Sequence, residues 1–188
     1  MTIKIRPATV DDASALSRFG ATTFRETFEE ENAPEDMARY LEDAFTPQRQ
    51  ATEIVDRAGA VLLAEHIDEQ HGAPELVGYA HVVKGPVPDA VRGPDPLELK
   101  RLYVARTWHG QGVAQALMEA AIEAARSHGA QTLWLGVWER NPRALAFYAK
   151  YGFERVGEHT FTLGEDAQTD WVLARPISDE APRGSRPA

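Results

Sequence analysis

Gly110-Gln111-Gly112 is the triplet of this sequence with the most chemical potential. It follows Leu97 to Ala105, a run of apolar and β-prone residues, and the bend Thr107-Trp108-His109. After it comes an Ala-rich stretch in which Val113, Leu117 and Ala121 recur at four-residue spacing, with Ala114, Met118, Ile122 and Ala125 beside them. The pattern predicts a strand, a glycine turn and an amphipathic helix. A helix that opens on glycines offers unpaired N–H groups and the positive end of its dipole. Without a Cβ in the way, an anion can reach that backbone. The triplet therefore reads as an anion cradle, suited to a pyrophosphate; taken alone, it is equally a turn that only lets the helix pack.

Other chemistries find less support. Gln115 stands where a dinucleotide-binding G-x-G-x-x-G needs its third glycine, and no Gly-Lys-Ser/Thr loop is present. The six histidines are scattered, without H-E-x-x-H or paired ligand spacing, so no metal is expected. No G-x-S-x-G elbow serves acyl-enzyme chemistry. With no cysteine, disulfides, thiolate-held zinc and a Cys nucleophile are excluded.

Around the cradle, patterning predicts the elements that must hold it. Thr2 to Arg6 alternates as a strand closed by Pro7. Asp11-Asp12 starts a helix with Ala15, Leu16, Phe19 and Phe24 inward, ending at the acidic run Glu29-Glu30-Glu31, which by itself reads as a solvated helix end. Pro34-Glu35-Asp36 opens a second helix with Met37, Tyr40, Leu41 and Phe45 at helical spacing, and Thr46-Pro47 caps a third holding Ile54 and Val55. Val61 to His66 and Leu76 to Val83 form a hairpin, in which His81 is a satisfied or exposed strand residue rather than a ligand. Lys84 to Pro96, with four prolines, is a surface loop.

Beyond the cradle helix, Gly129 is its C-terminal cap. Thr132 to Trp138 is apolar on both faces, as a buried central strand parallel to the first would be. Asn141-Pro142 starts another helix, with Ala144, Leu145, Phe147 and Tyr148 on one side and Gly152 at its end. Phe153 to Leu163 and Trp171 to Ala174 are strands joined by the turn Gly164-Glu165-Asp166. The segment after Pro176 is polar and Pro-rich and is expected to be disordered, leaving residues 1–176 as one domain and 177–188 as a tail.

A chain of 188 residues suits one domain with a sizeable core. No apolar run nears the roughly 18 residues that cross a membrane, and Met1 to Asp12 is no signal peptide, so a cytoplasmic protein is expected. A net charge of −9 disfavours nucleic acid and would suit a cationic partner, although a solvated acidic surface explains it as well.

His109-Gly110-Gln111-Gly112-Val113-Ala114, after the strand Glu98 to Val104, resembles the Arg/Gln-x-x-Gly-x-Gly/Ala signature of the GCN5-related N-acetyltransferase (GNAT) superfamily. About 30 residues on, Asn141 and Phe147-Tyr148-Ala149-Lys150-Tyr151-Gly152-Phe153 are similar to that family's Asn…Phe-Tyr…Gly-Phe segment. His109 departs from the usual Arg or Gln, which bears on affinity because backbone amides do most of the phosphate work. Nearly the whole chain resembles one subgroup, the PaiA-type spermidine/spermine acetyltransferases, through TFRETF, PEDMARYLEDAF, WLGVWERNPRALAFYAKYGF and HTFTLGEDAQTDWVLA.

The resemblance implies an α/β fold: a single domain with a twisted, mixed and mostly antiparallel sheet of about seven strands, flanked by helices, whose two central parallel strands splay apart to admit acetyl-CoA. It implies that backbone groups of Leu102, Tyr103 and Val104 pair with the pantetheine arm and that amides of His109, Gly110, Gln111, Gly112, Val113 and Ala114 hold the pyrophosphate. Asn141 and Lys150 would contact the cofactor by side chain, though a solvated lysine explains Lys150 equally well. Tyr148 would protonate the departing thiolate, its alternative being a core aromatic. Glu98, six residues before Val104, would take the amine's proton directly or through water, its alternative being a partner for Lys100 or an arginine. The implied reaction is attack of a small-molecule amine on acetyl-CoA in a ternary complex, with no metal. For a polyamine, Glu26, Glu29, Glu30 and Asp36 would face the ammonium groups, and Phe24 and Trp138 the methylenes. Another small amine, an antibiotic, a protein amino group, or a CoA-binding regulator without turnover remain alternatives. Relatives often form homodimers; no residue here decides it.

Overall fold

The computed structural model describes residues 2–68, 72–163 and 166–177. In chain order these form β1 (Thr2–Pro7), α1 (Ala13–Phe28), α2 (Pro34–Ala44), α3 (Pro47–Val55), β2 (Ala60–Ile67), β3 (Glu75–Val83), β4 (Pro96–Val104), α4 (Val113–Ser127), β5 (Thr132–Trp138), α5 (Pro142–Lys150), β6 (Glu154–Leu163) and β7 (Asp166–Pro176). The strands make one sheet in the order β1-β2-β3-β4-β5-β7-β6. Only β4 and β5 pair in parallel, joined by the crossover α4, and the other neighbours are antiparallel. This is the mixed, helix-flanked α/β sheet that the motifs imply.

Alternation sorts the sheet's side chains between two layers. Ala64, Val77, Ala80, Val82, Leu97 and Leu99 face α4, which buries Val113, Leu117, Met118, Ala121, Ile122 and Ala125 against them. Val61, Leu63 and Tyr79 face Leu16 of α1 on the other side. The stripe α1 buries is Ala13, Leu16, Ser17, Gly20, Thr23 and Phe24; Ala15, expected inward, is exposed. Gly20 sets the approach: a Cβ there would lie 2.6 Å from the Phe45 ring. In α3 the buried residue is Gln50, whose Nε2 donates to the Ala44 carbonyl at 3.0 Å, while Val55 is exposed.

Two irregularities shape the site. The first is a bulge in β4: His81 faces Arg101 and Val82 faces Leu99, so Lys100 is extra. A one-residue bulge reverses the alternation. Arg101 and Tyr103 therefore join Glu98 on the α1 and α3 side, where unbroken alternation would put them with Leu97 and Leu99. The second is the parting of β4 from β5. They pair only at Pro96–Thr132, Leu97–Leu133 and Glu98–Trp134. Beyond that, β4 continues on β3 to Val104 and β5 continues on β7 to Trp138, and a gap opens between them.

Two sequence expectations shift at the C-terminal end. β7 starts at Asp166 rather than Trp171, and its first half pairs with β6 from Leu163–Asp166 to His159–Asp170. Patterning reads Asp166 as a turn and assigns no strand to 167–170, because Gln168 and Asp170 are polar residues that look into the gap rather than apolar ones. Ile177, expected in the tail, is buried and donates to the Gln131 carbonyl at 2.8 Å. The expected turn residues Gly164 and Glu165, and 178–188, lie outside the described residues. Among the described residues no helix is long and apolar enough to cross a membrane.

Candidate active site

The gap between β4 and β5 opens into a cavity of about 450 Å³. Leu99 to Val104 line one wall and Gly136 to Trp138 the other; His109, Gly110 and Ala114 stand at one end, and Asn141, Phe147 and Tyr148 of α5 beside it. Thr23, Phe24 and Phe28 of α1, Tyr40 of α2, and His159, Phe161, Gln168 and Asp170 of β6 and β7 enclose the rest. A second, more polar hollow of about 270 Å³ is lined by Glu26, Glu30, Glu31, Arg106, Arg140 and Arg143, and shares His109, Trp138 and Asn141 with the first.

The glycine turn has the backbone an anion cradle needs. Gly110 and Gly112 sit at φ +77° and +85°, and a Cβ added at either would meet no atom within 4 Å. Gly112 is the N-cap of α4, and no side chain caps the helix's first amides. They are the donors a phosphate would take. Gln111 is exposed, its Nε2 bound to the Thr107 carbonyl at 2.7 Å, and Val113 is fully buried.

His109 acts as a tie. Its Nε2 lies 3.0 Å from the Val104 carbonyl and its Nδ1 2.8 Å from Nη1 of Arg143. A guanidinium only donates, so Nδ1 accepts and Nε2 carries the proton given to Val104. The imidazole thus links the end of β4 to the start of α5, a structural role for the residue that departs from the family signature.

Tyr148 and Glu98 both line the cavity. Tyr148 is half-buried, packed against Phe147 and Phe153, and burial pushes its phenol up to about 12, so it stays a proton donor at neutral pH. Burial also raises Glu98, against the opposing pull of Lys100 and Arg101. Those two cations turn instead to Glu53 of α3, at 3.8 Å and 2.5 Å. Among the described residues no hydrogen bond or ion pair occupies the Glu98 carboxylate, which bears on the alternative of a paired glutamate. Asn141 caps α5, its Oδ1 accepting from Ala144 N–H at 3.1 Å.

The remaining expected residues divide. Phe24 and Trp138 line the main cavity, Glu26 and Glu30 only the outer hollow. Glu29, Asp36 and Lys150 line neither. His81 is fully buried rather than exposed; its Nδ1 has no hydrogen-bond partner, and burial pushes it down to about 4. Sequence reasoning missed Tyr40, Phe161, Gln168, His159, Asp170 and Arg143. The available signal was the polar alternation Asp166, Gln168, Asp170, which marks a strand as well as a turn. Among the described residues no group of three or more His, Asp or Glu side chains is placed to hold a metal.

Solved acetyltransferases share this fold. The fold is similar to the PaiA N-acetyltransferase of Thermoplasma acidophilum in complex with coenzyme A (TM-score 0.73, 18% identity, 94% of this chain and 99% of that one). It is also similar to a putative acetyltransferase of Salmonella typhimurium with its cofactor acetyl-CoA (TM-score 0.64, 17% identity, 99% and 100%). The family model for the acetyltransferase (GNAT) family matches residues 22–153. An uncharacterized N-acetyltransferase of Lactobacillus delbrueckii subsp. lactis is 33% identical over 93% of this chain and 98% of its own length. Another, from Mycobacterium tuberculosis (strain ATCC 25618 / H37Rv), is 35% identical over 88% and 98%. This chain belongs to the GNAT family and is an acetyl-CoA-dependent N-acetyltransferase.

Proposed function

We propose that this enzyme transfers acetyl from acetyl-CoA to a primary amine of a polyamine, by direct attack within a ternary complex, as PaiA-type spermidine/spermine acetyltransferases do. The observation that carries the reading is one cavity that touches both Glu98 and Tyr148 and runs on between α1, α2, β6 and β7, away from the glycine turn.

The pyrophosphate would lie on the amides of Gly110 to Ala114, with His109 holding the turn, and the pantetheine along the free edge of β4 at Leu102 to Val104. A backbone N–H of that edge would polarise the thioester carbonyl and hold the oxyanion. Alkylammonium groups have a pKa of about 10.4 and must lose a proton before attack. Glu98, without an ion-pair partner among the described residues, accepts it directly or through one water. The nitrogen adds to the carbonyl carbon, the C–S bond breaks, Tyr148 gives its proton to the departing thiolate, and the second proton lost from nitrogen as the amide forms restores the phenol. Phe24 and Trp138 would pack on the methylenes, and Glu26 and Glu30 would draw cations from the outer hollow; Asn141 would steady the cofactor beside α5. Lys150, Glu29 and Asp36 would act at longer range, from the surface.

Thiol release from acetyl-CoA across spermidine, spermine, aminoglycosides and peptides tests the reading. The highest kcat/KM is expected for a polyamine. A higher value for another class overturns the acceptor assignment, and tight CoA binding without turnover on any amine favours a regulator.

A further inference from the structure

Asp170 is a carboxylate without a counter-ion. It lies on β7 opposite Trp138 of β5 and His159 of β6, and with them lines the main cavity. Its nearest basic atom is Nε2 of His159, 3.9 Å from Oδ2, beyond hydrogen-bond range. Burial drives the imidazole below its ordinary range, so it carries no charge at neutral pH, and Nε2 is itself buried without a hydrogen-bond partner. The permanent cations of the cavity wall are engaged elsewhere: Lys100 and Arg101 by Glu53, Arg143 by His109. Burial lifts Asp170 to about 6, which still leaves it ionised at neutral pH. A buried charge of this kind is costly unless something pairs with it.

Aromatic rings surround the same space. Centroid separations run 6.2 Å from Trp138 to Phe28, 4.6 Å from Phe28 to Phe24, 4.6 Å from Phe24 to Tyr40 and 5.5 Å from Tyr40 to Phe161. All five line the cavity. Gly136 keeps the floor open, since a Cβ there would come within 2.8 Å of His159 Nε2 and 3.4 Å of Asp170 Oδ2. A carboxylate oxygen lacking a donor and an imidazole nitrogen that accepts in the Nδ1–H tautomer, in a cavity lined by π faces, match a group with several N–H donors and a positive charge.

We propose that Asp170 and His159 seat the distal ammonium group of the acceptor, the one that is not acetylated. One ammonium donates to Oδ2 and to Nε2 of the neutral imidazole while the rings shield it from water. This inference rests on the acceptor reading above and sharpens it. Glu26 of α1 and Glu30 just beyond it lie in the outer hollow among three arginines, and the carboxylate that selects a second cationic centre is on β7. Diamines and longer polyamines are then favoured over monoamines of equal length, with Glu98 left to act on the reacting nitrogen.

The test compares spermidine, 1,4-diaminobutane and n-pentylamine as acceptors for wild type and Asp170→Asn. A hydrogen-bonded charge is worth about 10- to 100-fold, so KM for both cationic-tailed amines should rise by that factor. kcat, coenzyme A affinity and pentylamine kcat/KM should stay within about threefold. Asp170→Asn removes an uncompensated charge, so its Tm should equal or exceed that of wild type. Phe161→Leu, which keeps the carboxylate and removes one ring, should raise the same KM values about two- to fivefold. Equal losses for monoamine and diamine, a fall in kcat without a KM change, or no change at all overturns the seat. If wild type acetylates none of these amines, the polyamine reading fails by itself. Calorimetric titration of spermidine into the coenzyme A complex then decides the seat: binding weakened by Asp170→Asn supports it, and equal or absent binding overturns it.

Discussion

Replacing Arg101 by methionine keeps an unbranched stem of similar reach and removes a guanidinium whose side chain is only 4% exposed. Two contacts disappear, the 2.5 Å hydrogen bond to Glu53 and the guanidinium's position 5.1 Å over the Phe45 ring. Glu53, 12% exposed, is left with Arg49 at 3.7 Å and Lys100 at 3.8 Å, both beyond hydrogen-bond range. Breaking a buried pair on one side costs about 3–5 kcal/mol. The two remaining cations offset part of it, and about 2–4 kcal/mol is expected. For a chain of this length that lowers Tm by roughly 5–12 °C. Adding Glu53→Leu should restore most of the loss, because no bare carboxylate remains.

The pH dependence has a definite sign. In the wild type, burial would raise Glu53, but Arg101, His81 and Lys100 outweigh it and hold the carboxyl below its usual range. Its contribution is therefore complete above the unfolded value of about 4.3 and is lost as pH falls through the folded one. In Arg101→Met the carboxyl should titrate higher than in the wild type, so the deficit is largest at neutral pH and is relieved on acidification. Loss of the guanidinium also lets His81 take a proton more readily beside Glu53, which acts in the same direction. Thermal melts of both proteins from pH 7 to pH 4.5 should show the Tm deficit shrinking. A deficit under about 1 kcal/mol at pH 7, or one that does not change with pH, refutes the account.

Tyr148→Phe should lower kcat about 100-fold with coenzyme A affinity unchanged in calorimetry, and unaltered turnover removes the acid role. Wild-type kcat should fall as pH drops through the raised pKa of Glu98; in Glu98→Gln the rate should be lower and that acid limb absent, and a persisting limb assigns the base elsewhere. Gly112→Ala forces a side chain to φ +85° and should cost about 1–2 kcal/mol of stability with a parallel loss of acetyl-CoA affinity; wild-type values for both refute the cradle.

What the chain shows by inspection is local. The turn at Gly110 and Gly112, the amphipathic run of α4 and the Asn-Pro start of α5 depend on neighbours a few residues apart, and all three stand where patterning puts them. So does β5, whose apolar residues on both faces suit a central strand. β7 was half missed because its start alternates polar residues for a different reason: they face a cavity rather than solvent. The bulge at Lys100 is equally silent in sequence, since it exists only relative to β3.

The reaction was legible in the chain through a resemblance: the strand, glycine turn and helix describe only an anion cradle, whose interactions run through the backbone, and it is the Asn141 and Phe147 to Phe153 segment about 30 residues on that makes the pair of motifs similar to those of the GNAT family. Which carboxylates line the main cavity was decided by tertiary structure alone. Glu26, Glu29 and Glu30 stand out in the chain as an acidic stretch, yet none lines the main cavity, which β7 instead supplies with Asp170. Charge in a folded protein acts through burial and distance, and both arise only when β5, β6 and β7 come together, the last two joined at the far end of the chain from α1.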